Sequence, residues 1–315
     1  MNDAEQIKDG LLYIAIFFGI VLISIFIPVA ILPGILFLPL PFLLFTYKYD
    51  WLAGLVFALI TGLLAFILFN DIGLLIAVLT ATTGVLIGTA LHRKARPYDT
   101  WSKGALGGII GFLVIFAYIQ LVFQINWEEQ IIALSQESIA VSEQMMKNFG
   151  MQPMTEDQIK MVETQLLSFI KLIPAIILLA GCFYAYIVQW LGYKFINRIH
   201  KEDISFPPFR TLRFPVLIIW VYFLALIVTF FQSGEDSAIG TAADNMIVVI
   251  GILLLIQGFS FLFYLSYEKK IPRAIPILAI ILTVLMPLLF MFIIRLLGVV
   301  DIVLDVRKLI SNKEK

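Results

Sequence analysis

Charge is what this chain has least of. Only 14% of its 315 residues are Asp, Glu, Lys or Arg, against 61% hydrophobic residues and a mean hydropathy of +0.99. A soluble domain carries about 25% charged residues and about 45–50% apolar ones. So little charge cannot cover so much apolar surface in water. This excludes a soluble globular fold and points to a polytopic membrane protein. Acids and bases balance at 22 each, which gives no reason to expect nucleic-acid binding. The single cysteine, Cys182, excludes an intrachain disulfide and reads as a small buried hydrophobe in an apolar run. The two histidines, His92 and His200, stand beside basic residues without metal-ligand spacing. HExxH and GxSxG are absent, and the glycine-rich run 104–111 lacks the Lys-Ser/Thr of a phosphate loop. No enzyme, cofactor or metal site is expected, nor ATP hydrolysis by this chain. The acidic start MNDAEQIKDG lacks the basic region and cleavage site of a secretory signal, so the first apolar run is expected to stay as an anchor.

What is there is a series of apolar runs, at 11–27, 30–47, 51–69, 71–91, 104–124, 170–193, 214–231, 245–267 and 274–297. Spanning takes about 17–25 residues, and in hydrocarbon the backbone must satisfy itself, so these runs predict helices. The expected fold is all-α, a polytopic helical membrane protein of about nine transmembrane helices, or eight if the last run is re-entrant. Bases mark one side: Arg93, Lys94, Arg96 and Lys103 in one loop, Lys194, Arg198, Lys201, Arg210 and Arg213 in another, Lys269, Lys270 and Arg273 in a third. The opposite loops are acidic, with Glu235, Asp236 and Asp244 in one and seven acids against Lys147 and Lys160 in the long loop 125–169. This asymmetry predicts a cytoplasmic N-terminus and an outer long loop. Nine single spans would put the basic tail (Arg307, Lys308, Lys313, Lys315) outside; a hairpin over 274–297, which holds Pro276 and Pro287, would return it.

The long loop carries two helix starts. Asn126-Trp127-Glu128-Glu129 and Thr155-Glu156-Asp157-Gln158 fit the capping box, and Gly150 with Pro153 gives a stop between them. One helix is expected over 127–149, with Trp127, Ile131, Leu134, Met145 and Phe149 as an apolar stripe. A second is expected to start near 156 and run into the sixth span.

Four prolines interrupt the greasy stretch IPVAILPGILFLPLP, residues 27–41. Pro28 can end the first helix, and Pro33 sits near the start of the next, where proline costs little. Pro39 and Pro41 lie inside the second span and free the carbonyls of Ile35 and Phe37. Such a break is tolerated only against protein or a water-filled cavity. It is either a packing kink or the edge of a substrate cavity. The polar residues Thr80, Thr82 and Thr83 in the fourth span and Gln120 and Gln124 in the fifth complete the candidate cavity. Gln189, Gln257 and Ser260 read as interhelical glue.

Small residues recur at i, i+4: Ala15/Gly19, Gly54/Ala58/Gly62, Thr80/Gly84/Gly88, Gly104/Gly108 and Gly107/Gly111. They predict close helix packing, with Ala15 and Gly19 as a candidate surface for a partner. Lys171 and Arg295 are expected near span ends, where long side chains reach the interface. In the ending GVVDIVLDVRKL, Asp301 and Asp305 are expected on one helix face, Lys308 relieving Asp305, in an interfacial amphipathic helix.

The segment IPxxxxxP…LPLPFLLF, the basic loop after the fourth span, the capped outer helix, SFPPFRTLRFP and GVVDIVLDVRKL together resemble the YybS family, bacterial membrane proteins of unknown function. The likeness covers essentially the whole chain. The first six spans of that family resemble the substrate-binding S components of energy-coupling-factor vitamin transporters. That resemblance implies a six-helix domain over 1–200, with Ala15 and Gly19 docking a coupling subunit that works with ATPases. A three-helix extension over 201–297 and an amphipathic tail over 298–315 would then be additions. The expected function is small-solute binding as a transporter-type subunit in the bacterial cell membrane. The alternative is a scaffold whose Arg210 and Arg213 recruit a signalling or cell-envelope partner.

Overall fold

The computed structural model describes residues 3–152, 154–232 and 237–312. Glu235, Asp236, Pro153, Lys313 and Lys315 lie outside them. The described residues form helices and connecting turns with no strand among them. Among the described residues six helices are long and apolar enough to cross a membrane, so the chain is a polytopic helical membrane protein. It divides into two compact units, 1–159 with 176–206, and 160–175 with 207–315.

In unit 1, α1 (Asp3–Phe26) ends just before Pro28, which opens a turn of 3-10 helix, Pro28–Ala30. The second span follows as α2 (Ile31–Phe37) and α3 (Pro39–Tyr49). The residue between them, Leu38, keeps helical dihedrals (φ −56°, ψ −32°), and its N–H donates to the Gly34 carbonyl. The prolines therefore bend this span without unwinding it. In α4 (Trp51–His92) the third and fourth runs meet at Asn70, whose φ of 53° and ψ of −144° break the helix. Gly62 packs on Leu74 and Ala77 beyond the break, so the two halves fold back on each other as a hairpin. A continuous helix would hold residues 62 and 77 about 22 Å apart.

The expected small-residue ridges, apart from Ala15/Gly19, are where helices meet. A Cβ at Gly84 would stand 2.5 Å from the Pro39 carbonyl oxygen, and one at Gly88 2.6 Å from that of Leu43. In α5 (Pro97–Val122), Gly107 and Gly111 rest on Thr82 and Leu79, and Gly108 rests on Gly181 of α8 (Ile173–His200). Lipid gives apolar helices no hydrophobic reason to associate, so close backbone approach supplies the dispersion contacts instead. Phe17, Phe42 and Phe57 add an edge-to-face aromatic core, with ring centroids 5.3 and 5.2 Å apart.

The loop 125–169 forms α6 (Trp127–Asn148) and α7 (Glu156–Lys171). Both starts follow the capping logic. Asn126 Oδ1 accepts the Glu129 N–H, and Thr155 and Gln158 cap each other's backbone N–H. Trp127 stacks on Phe116 and donates to Gln120, while Leu134, Met145 and Phe149 further along the stripe are exposed. α7 does not run straight into the sixth span. The chain breaks at Leu172, where Asn245 donates to the Lys171 carbonyl and accepts the Ala175 N–H.

Unit 2 contains α9 (Leu217–Phe231), α10 (Ala238–Glu268), α11 (Ala274–Leu285), α12 (Pro287–Val303) and α13 (Val306–Asn312). α9 and α10 are antiparallel, tied by Thr229 to Asp244 at one end and by the Phe214 N–H to Gln257 at the other. α10 and α12 run parallel: Gly251 faces Arg295, Leu254 faces Gly298, and Gln257 bonds Asp301. α11 starts near the C-terminal end of α10, where Ser266 holds the Ile271 carbonyl. The stretch from 274 to 303 therefore runs out and back, turning at Met286 (φ −131°, ψ 65°) ahead of Pro287. Of the two topologies open from sequence, this is the hairpin, and a ninth single span is corrected. A helix of 12 residues reaches about 18 Å, well short of a hydrocarbon core about 30 Å thick.

Candidate functional site

Two expectations for the end of the chain are overturned. Asp301 and Asp305 do not share the face of an interfacial helix. α12 stops at Val303, and Asp305 takes a left-handed conformation (φ 46°) that turns the chain before α13. Asp301 is wholly buried, and Arg307 is 9% exposed. The turn lets Arg307 fold back: its Nε lies 3.0 and 3.1 Å from the two Asp301 oxygens, and its Nη2 donates to Oδ2 at 2.7 Å. Gln257 of α10, also wholly buried, donates to Asp301 Oδ2 at 2.5 Å. Burying a lone carboxylate is prohibitive, so a pair this deep persists only when its remaining lone pairs and protons are also answered.

They are answered by the stretch SFPPFRTLRFP. Gln257 Oε1 accepts the Phe214 N–H at 3.0 Å. Arg307 Nη1 donates to the Arg210 carbonyl at 2.7 Å. Ser260 Oγ lies 2.9 Å from the carbonyls of both Phe209 and Leu212 and accepts from Arg307 Nη2. One buried polar node thus grips four backbone groups of a single loop. Arg213 and Lys308 close the rim on Asp305, each at 2.7 Å. The hydrogen bond from Lys308, with help from Arg213, holds the Asp305 carboxyl below its ordinary range. The node has no free nucleophile or open acid–base pair. Chemically it is a clamp that fixes the loop and the chain end to α10.

The scaffold residues are engaged inside this clamp. Arg213 pairs with Asp305, and the Arg210 guanidinium sits 3.8 Å from the Tyr267 ring centroid.

The expected cavity residues of unit 1 do not gather in one place. Pro39 and Pro41 are buried in protein. The carbonyl freed by Pro39, on Ile35, accepts the Tyr184 hydroxyl at 3.0 Å. Thr80 and Thr83 are buried and donate to their own helix, at Ile76 and Leu79. Thr82 bridges to the Gly107 carbonyl of α5 at 2.9 Å. Gln120 lies nine residues beyond the Gly111–Leu79 contact, about 13 Å along α5, and is held by Trp127. Gln124 is exposed past the end of α5.

A different polar set stands out in unit 1, of which the sequence singled out only Gln189, as interhelical glue. Thr46 Oγ1, Asp50 Oδ1, Thr61 Oγ1, Thr100 Oγ1 and Gln189 Oε1 are buried and have no hydrogen-bond partner among the described residues. Thr46 is wedged between Gly54 and Gly88. Gln189 spends its amide N–H groups on the Pro97 carbonyl and the Tyr193 hydroxyl, which leaves its oxygen over. Buried side-chain oxygens in native structures nearly always have a partner, and each exception calls for an explanation. Thr46, eight residues before Gly54, was legible as a polar residue opposite a small-residue ridge. On α1, Ala15 is exposed and nothing lies within 4 Å of a Cβ at Gly19, while Phe17 on the other face is buried.

Comparison with known proteins agrees with this membrane architecture. The chain is 26% identical over 307 residues to the uncharacterized protein YybS of Bacillus subtilis (strain 168), covering 98% of this chain and 99% of that one. No solved structure matches it. The family model described as "Predicted membrane protein (DUF2232)" matches residues 15–302, and the chain belongs to that family.

Proposed function

We propose that unit 1 binds a small polar solute in the bacterial cell membrane, and that a partner supplies the energy this chain has no motif to generate. The observation that carries the reading is the set of buried, unpartnered oxygens on Thr46, Asp50, Thr61, Thr100 and Gln189. In a bundle surrounded by lipid each costs free energy unless a ligand or water answers it. The resemblance of the first six spans to S components supports the same reading. So does the small-residue face of Ala15 and Gly19, which no side chain among the described residues covers at Gly19. The gathering of bases in alternate loops supports a cytoplasmic N-terminus. The scaffold reading draws less support, since Arg210 and Arg213 already have intramolecular partners.

The test is a pull-down of tagged protein from its own membranes in mild detergent, with mass spectrometry of the partners. The reading expects a coupling membrane subunit with ATP-binding-cassette ATPases, lost when Ala15 and Gly19 are both changed to Leu. A signalling or cell-envelope enzyme recovered with no ATPase would overturn it.

A further inference from the structure

Arg295 does not lie near a span end, as its place in the sequence suggested. Eight residues separate it from each end of α12 (Pro287–Val303), so it stands about 12 Å from both. Its guanidinium lies against the backbone of Gly251 in α10: a Cβ there would be 3.1 Å from Cζ, 3.3 Å from Nη1 and 3.4 Å from Nε. Gly251 is thus the bare platform on which the planar group rests. Its Nε is buried and makes no hydrogen bond.

The charge is also unmatched. Arg307 has Asp301, and Arg213 and Lys308 have Asp305. Among the described residues no carboxylate pairs with Arg295. Within one helical turn of Arg295 lie Met291, Phe292, Gly298 and Val299, and within one turn of Gly251 lie Ile247, Val248, Leu254 and Leu255. Asp301 is the nearest acid along α12 and is already saturated. An ionisable residue inside a span is rare and marks a ligand or ion path when it is not paired. A guanidinium never gives up its proton to escape the cost, and its fork matches a carboxylate or phosphate.

We infer that Arg295, seated on Gly251 between α10 and α12, is an oxyanion-binding site at mid-membrane, taking a carboxylate or phosphate group. The inference concerns unit 2 alone and stands or falls apart from the solute reading of unit 1. The oxyanion has two sources, a soluble small anion or a phospholipid headgroup. Its seat, Gly251, stands 13 residues from the start of α10 and 17 from its end, about 20 and 26 Å, and a depth near the middle of that span favours the soluble one.

The probes are sodium phosphate and sodium acetate, titrated against protein in phosphatidylcholine nanodiscs with ionic strength held by sodium chloride. The thermal midpoint is the readout. A second series uses nanodiscs containing phosphatidylglycerol, with native mass spectrometry of retained lipid. Wild type is expected to rise in midpoint with phosphate or acetate. Arg295→Met should abolish the response. Arg295→Lys, which keeps the charge and loses the fork, should weaken the apparent affinity about tenfold. Gly251→Ala, which lifts the guanidinium off its seat, should weaken it similarly while α10 stays folded. A response confined to phosphatidylglycerol and lost in Arg295→Met assigns the same site to a headgroup. Overturning results are an Arg295→Met response equal to wild type, or no response of wild type in either series.

Discussion

Changing Asp301 to Ala breaks the buried node where it is most exposed to loss. Asp301 is wholly buried and receives three contacts from Arg307 and one from Gln257. Its removal leaves the Arg307 side chain, 10% exposed, with no counter-charge, and a buried amide N–H with no acceptor. Breaking one side of a buried pair costs about 3–5 kcal/mol. The Arg210 carbonyl and Ser260 still hold the guanidinium, which favours the lower half of that range. At about 1.4 kcal/mol per tenfold, even 3 kcal/mol raises the opening equilibrium of the clamp more than a hundredfold. The loop 207–214 reports it directly, because the Phe214 N–H is held only through Gln257. Hydrogen exchange in detergent should show that amide losing protection by about two orders of magnitude, while amides inside α4 keep theirs. Arg307→Met alone should cost a similar amount. The double variant Asp301→Ala, Arg307→Met should recover a large part of the loss, because no uncompensated charge remains. Unchanged Phe214 protection in Asp301→Ala, or losses that simply add in the double variant, would refute the node.

Tyr184→Phe removes the donor that answers the Ile35 carbonyl, at about 1–3 kcal/mol. Pro39→Ala restores a backbone N–H able to take its place, so the Tyr184→Phe penalty in thermal unfolding should shrink in that background. Gly84→Leu must displace the Pro39 carbonyl and should abolish monodisperse protein on size exclusion, whereas Gly19→Leu, facing open space, should leave it intact. In a Cys182→Ser background, cysteines at Lys308, Lys94 and Lys269 should all react with an impermeant thiol reagent from the same side of sealed vesicles. Labelling of Lys308→Cys from the opposite side would rule out the hairpin. The Asp305 carboxyl is held below its ordinary 3.8, so its contribution is present above about pH 4 and is lost as pH falls through the lower folded value. Proteolysis after Arg213 should accelerate only on that acid side.

The sequence exposed what rests on local spacing. Pro28 after Phe26, the caps at Asn126 and Thr155, and the glycine ridges are each decided within a few residues. The Asp301–Arg307 pair was not legible because it assumes a helix break. On a continuous helix Asp301 pairs visually with Asp305, four residues on, and Arg307 points elsewhere. Only the left-handed Asp305 brings residue 307 back to 301. The grip of Gln257 and Ser260 on loop 207–214 crosses some fifty residues and leaves no periodic trace. The position of Arg295 was hidden for a similar reason: a run read as one span over 274–297 puts it near the end, whereas the turn at Met286 puts it in the middle of a new helix. The candidate cavity suffered most. Threonines in a span look alike in sequence, and only packing separates Thr80 and Thr83, which bond their own helix, from Thr46 and Thr61, which bond nothing.

The central claim is that unit 1 holds a solute, and native mass spectrometry of protein purified from its own membranes tests it most directly. A small non-lipid adduct is expected on wild type and is lost in Thr46→Val, Thr61→Val or Gln189→Leu, each variant remaining folded. Adduct-free wild type, together with valine variants that are more stable than wild type, would contradict it: the unpartnered oxygens would then be unfavourable packing and no binding site.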